Sequence, residues 1–165
     1  MNLKKIVRLS MLISLSVVIS IIESYIPILN NVVPGLRLGF ANIIILFVLY
    51  KYNFKDSLYV SVVRVILVGL LRTGLFSVSF FFSLSGAIFS IVCMYFVKKI
   101  DKFSVVGVSI IGSVTHSIGQ VLIAILFLKN EFVIYYLPYL LIFSIPTGIF
   151  TGFISKKLLD LDIDI

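Results

Sequence analysis

The sequence predicts an all-α membrane protein: one bundle of six transmembrane helices, with both termini on the cytoplasmic side. Two observations carry this. Of 165 residues, 61% are hydrophobic and only 13% charged, with a mean hydropathy of +1.22, and a soluble domain of that size lacks polar residues enough to cover its surface. The lysines and arginines, moreover, collect in short gaps between apolar runs and do not stripe one helix face. A single integral membrane domain over residues 1–165 follows, with no appended soluble domain.

Six apolar runs succeed one another, at about residues 6–27, 36–52, 56–71, 75–97, 104–128 and 132–154. The first follows Lys4, Lys5 and Arg8, as in a signal peptide. Its apolar stretch is longer than a usual signal core and no small-residue cleavage site follows, so it reads as a retained helix. A spanning helix takes about 20 residues at 1.5 Å each. The first, fourth, fifth and sixth runs reach that length. The second and third are short and carry Arg37 and Arg64, so they span only if packed inside the bundle. In the sixth, Pro138 and Pro146 are expected to break or kink the helix, and Tyr135, Tyr136 and Tyr139 suit the outer interfacial belt.

Orientation follows from the basic residues. With the N-terminus inside, the inner segments hold Lys4, Lys5, Arg8, Lys51, Lys55, Lys98, Lys99, Lys102, Lys156 and Lys157. The outer ones hold Arg37, Arg72 and Lys129, ten against three. This places the chain as a multi-pass protein of the cell membrane. The net charge of +7 is thereby a topology signal, and nucleic acid is not an expected partner.

Polar groups within apolar runs carry the functional information, because a charge at mid-membrane costs about 2.5–3.5 kcal/mol unless it faces a partner or a cavity. By helical rise, Glu23 lies about 25 Å above residue 6, Arg64 about 12 Å and Arg72 about 24 Å above residue 56. His116 and Gln120 lie about 18 and 24 Å above residue 104. Glu23, Arg72 and Gln120 thus share a height in the outer half, with Arg64 and His116 below. Two arrangements fit: a buried ion pair of Glu23 with either arginine, or a ligand pocket. Ser109, Gly112, Ser113, His116 and Gln120 recur on one face of the fifth helix, and a polar stripe there must face protein or water. The segment from Asn30 to Asn42, with its Pro34-Gly35 turn signal, reads as an interfacial turn or as a lid over such a pocket.

Small residues mark packing faces: Ser16, Ser20 and Ser24 on the first helix, with Ser10 and Ser14 beside them, and Gly148-x-x-x-Gly152 on the sixth. They serve packing within the bundle or docking of a partner. Cys93 sits in an apolar run as a small hydrophobe. No Ser-His-Asp set, phosphate-binding loop, facing carboxylate pair, aspartate-rich diphosphate motif or metal-ligand cluster occurs, so neither a cofactor nor a metal is expected. The acidic and apolar residues alternating from Asp160 to Asp164 read as a solvated end. The chain has no ATPase module to power transport.

The segment Pro34-Gly35-Leu36-Arg37-Leu38-Gly39-Phe40-Ala41-Asn42, together with Gly112, His116 and Gln120, resembles the signature of the heptaprenyl diphosphate synthase component I family, also called the Gx transporter family. More distantly, size and topology resemble the S components of energy-coupling-factor (ECF) vitamin transporters. The family name implies a role in making the prenyl diphosphate used for menaquinone, as a non-catalytic membrane subunit beside a soluble prenyl diphosphate synthase. The S-component likeness implies capture of a small molecule from outside, then toppling within a complex with a coupling subunit and ATPases. Ser16, Ser20 and Ser24 would be the docking stripe for that coupling subunit. In this picture Arg37 and Asn42 close over the ligand, Arg64 and Arg72 supply positive charge for an anionic molecule, and His116 and Gln120 orient it beside Glu23.

Overall fold

The computed structural model describes residues 3–25, 39–129 and 131–161. Six α-helices account for nearly all of them: α1 Leu3–Glu23, α2 Asn42–Lys51, α3 Phe54–Val68, α4 Val78–Lys98, α5 Val105–Leu128 and α6 Leu137–Asp160. A π-helical turn, Gly69–Thr73, continues α3, and a 3₁₀ segment, Glu131–Tyr136, leads into α6. Serine and asparagine caps start the helices where the sequence offers them. Asn53 accepts from the Asp56 amide, Ser77 from Phe80 and Ser104 from Gly107.

Four of these helical segments (α1, α4, α5, and α6 with its 3₁₀ lead-in) are long and apolar enough to cross a bilayer. The expected second span is shortened. It begins at Asn42 and not near residue 36, so α2 is only 10 residues, about 15 Å or half a hydrocarbon core. Gly39 explains the late start, since its φ of 88° lies in the left-handed region where the chain turns before the helix begins. Every α2 residue from Ile43 to Leu49 is buried, and α2 touches each of the other five helices. A helix apolar on all sides is a core helix.

The prolines do not break α6. Pro138 lies in the first turn, where an amide hydrogen has no helical acceptor anyway. Pro146 is carried inside a continuous helix, flanked by Ser144 and Thr147, whose hydroxyls donate back to the carbonyls of Leu140 and Phe143.

Close packing concentrates on α5. A methyl group at Gly148 would stand 2.7 Å from the Ile110 Cα, and one at Gly152 2.7 Å from the Val106 Cα, so the glycine pair lets α6 lie directly on the α5 backbone. Ser109 bonds Thr151 at 2.7 Å and Ser117 bonds Ser144 along the same seam. Gly86 and Gly119 do likewise between α4 and α5, with a Gly86 Cβ only 2.9 Å from the His116 carbonyl. The GxxxG spacing therefore packs helices of this chain against each other.

One end of the bundle is basic. Lys5 at the start of α1 pairs with Asp56 at the start of α3 at 2.6 Å, and Lys98 at the end of α4 donates to the Leu49 carbonyl at the end of α2 at 2.7 Å.

Candidate functional site

The polar side chains meet well inside the bundle, where α2 begins. Glu23, at the last residue of α1, is 6% exposed. Its carboxylate accepts from the Gly39 amide at 2.6 Å and the Phe40 amide at 3.2 Å, so a buried charge caps the chain just ahead of α2. Both are charge-assisted bonds, and the positive end of the α2 dipole stabilises the anion further. Asn42, the first residue of α2, donates to Ser90 of α4 at 3.4 Å.

His116 lies against this junction. A Cβ on Gly39 would be 3.8 Å from its Cδ2, and a Cβ on Gly86 would be 3.0 Å from its Cε1. The Gln120 Nε2 is 3.1 Å from the His116 Nε2. Which of the two donates follows from the tautomer of the ring and the orientation of the amide. Gln120 is fully buried, yet its Oε1 has no hydrogen-bond partner among the described residues, and the same holds for Ser113 Oγ and Ser61 Oγ. Exchanging the two ends of the Gln120 amide only moves the deficit from oxygen to nitrogen. Such orphans cost about 1–3 kcal/mol each, so each of them needs a reason.

Arg64 is buried at 5% exposure on the inner face of α3. Its neighbour Val65 shares an apolar cluster with Phe80 and Ala87 of α4. Glu23, Arg64 and His116 each engage further groups, and none of them is without a partner.

Of the residues expected at a site, Glu23, Asn42, Arg64, His116 and Gln120 are buried and Arg72 is not. Arg72 reaches across to the end of α1, donating to the carbonyls of Ser24 at 3.1 Å and Ile21 at 3.4 Å while its guanidinium stacks 4.0 Å from the Tyr25 ring. Unmatched carbonyls at a helix C-terminus attract a cation, which sequence distance conceals. Arg37, with the Pro34-Gly35 turn, lies outside the described residues. Of the expected docking stripe, Ser16 and Ser20 are buried within the bundle and Ser24 is half-buried. Ser61, Ser90 and Gly86 were not anticipated. The signal for them exists: Ser83, Gly86 and Ser90 recur at helical spacing on α4, and Ser61 stands one turn before Arg64.

Among the described residues no group of three or more His, Cys, Asp or Glu side chains is placed to hold a metal. A family model, heptaprenyl diphosphate synthase component I, matches residues 12–158. The chain belongs to this family. No curated protein and no solved structure gives a significant match. The family match spans α1 from its second turn through nearly all of α6, so the buried cluster lies wholly within the shared region. Helices fit to cross a bilayer and a family described as a synthase component together make this a membrane-associated subunit.

Proposed function

We propose that this protein binds one small anionic molecule within its bundle and has no catalytic activity of its own, in the manner of an ECF S component. The unpartnered Gln120 Oε1, buried beside His116 and on the same α5 face as the orphaned Ser113 hydroxyl, carries the reading. Polar atoms held ready in a dry interior are what a ligand site requires before its ligand arrives. Arg64 supplies the positive charge, His116, Gln120 and Asn42 orient the molecule, and Glu23 fixes the backbone beside it. Arg37 would close over the ligand from the segment ahead of α2. Arg72 serves by holding the end of α1, from which that segment departs. The chain crosses the cell membrane six times in this proposal, with α2 and α3 inside the bundle and both termini cytoplasmic.

The short α2 supports the same reading. A helix starting at mid-depth turns its positive end toward the interior, an arrangement that discontinuous transporter helices use for anionic groups. Gentle purification and native mass spectrometry test the proposal. The wild type should carry a small anion that Arg64→Leu and Gln120→Leu both lose, and equal retention by all three would remove its basis.

The family description favours a second reading, in which the chain is the non-catalytic membrane partner of a prenyl diphosphate synthase. That reading expects a soluble synthase to copurify, independently of Gln120.

A further inference from the structure

The basic end of the bundle holds a second depression, of about 510 Å³, remote from the buried cluster. It lies where the α2–α3 turn meets the end of α4. Its polar rim is Tyr52, Asn53, Lys55 and Lys98, and among the described residues its lining contains no acid. Two described carboxylates from adjoining segments are already engaged. Asp56 is tied to Lys5 at 2.6 Å, and Asp101 lies beyond the rim, close enough to act on Lys98 electrostatically.

Two features separate this place from an ordinary basic surface. The Lys98 ammonium is held, not free to sweep: it donates one hydrogen bond to the Leu49 carbonyl and sits 4.7 Å over the Tyr50 ring, which leaves further N–H donors in a fixed position. The wall below is aromatic, with the Phe54 and Tyr95 rings 4.6 Å apart. Beside them Phe96 is 60% exposed, its ring 5.8 Å from that of Tyr95, on the outer surface of a helix apolar enough to cross the bilayer. Cations and hydroxyls at the top with exposed aromatic surface beneath fit an amphiphile.

We propose that this depression seats the phosphate headgroup of an anionic phospholipid from the adjacent leaflet, its acyl chains lying along α4 past Phe96. Lys55 and Lys98 neutralise the phosphate, and Asn53 and Tyr52 offer uncharged hydrogen-bond partners. Attraction of a lysine to anionic lipid is worth about a factor of five in affinity near a membrane surface, so two converging on one phosphate give about thirtyfold. The site does not depend on the buried cluster, and either can fail without the other.

The test uses the full chain in nanodiscs of phosphatidylcholine with a minor share of phosphatidylglycerol, reading retained lipid by native mass spectrometry. The wild type should retain phosphatidylglycerol selectively. Lys55→Gln with Lys98→Gln should weaken that retention about thirtyfold, while Lys156→Gln with Lys157→Gln, which removes the same charge elsewhere, should leave it nearly unchanged. An equal fall in both double variants would mean diffuse attraction to a basic surface and overturn the site. Because Lys98 also secures α2, Lys55→Glu provides a variant with that contact intact, and undiminished retention there would be equally fatal. Excess inorganic phosphate should not displace the lipid; displacement would point to a free-phosphate site instead.

Discussion

Replacing Glu23 tests whether a buried carboxylate holds the start of α2 in place. Two backbone amides, of Gly39 and Phe40, depend on its two oxygens. Glu23→Ala leaves both donors without that acceptor, the Gly39 amide in a buried place and the Phe40 amide in a partly buried one. At about 1–3 kcal/mol for a buried unsatisfied group, the Gly39 amide alone makes the loss about 1–3 kcal/mol, and the partly buried Phe40 amide adds less. Glu23→Gln keeps one acceptor oxygen and removes the charge, so it should lose about half as much. Glu23 engages a further group as well, which makes these figures lower bounds. Reversible unfolding in mixed micelles, followed by far-ultraviolet circular dichroism, gives the free-energy differences. Hydrogen exchange localises them: protection should fall first at Gly39 and Phe40 while the middle of α5 keeps its own. An alanine variant within about 1 kcal/mol of wild type, with those two amides still protected, would refute the reasoning.

Gly148→Ala and Gly152→Ala each drive a methyl group against α5 backbone that has no flexible side chain to yield, so each should cost about 1–3 kcal/mol in the same unfolding assay. Gln120→Leu removes an orphaned acceptor along with one bond to His116, so stability of the empty protein should change by less than about 1 kcal/mol while ligand retention disappears. Arg72→Ala acts at an exposed site and should lower stability by only about 1 kcal/mol, seen as faster exchange at the end of α1 with the α4–α5 core unaffected.

What the sequence disclosed and what it withheld divide along one physical line. Long apolar runs are local, and α1, α4, α5 and α6 were legible from them. The stripe on α5 was legible too, since 3.6-residue periodicity puts Ser109, Gly112, Ser113, His116 and Gln120 on one face, and all five are buried. Features that depend on distant partners were not. The late start of α2 goes with Glu23 accepting from the amide of Gly39, a glycine with positive φ 16 residues further along the chain. Helical rise gave Arg72 the right height but not the direction, because the carbonyls that attract it belong to α1, about 50 positions away in sequence. Small residues on α1 look alike in sequence whether they face a foreign subunit or the chain's own core, and burial assigns Ser16 and Ser20 to the core.

The confinement of α2 bears on how the chain is made. A segment of 10 residues is too short to span a hydrocarbon core on its own, and its apolar middle is buried against the other helices. Those neighbours include α4, α5 and α6, all synthesised later. During biosynthesis α2 therefore has to wait, tethered to α1 on one side and α3 on the other, until its surroundings exist.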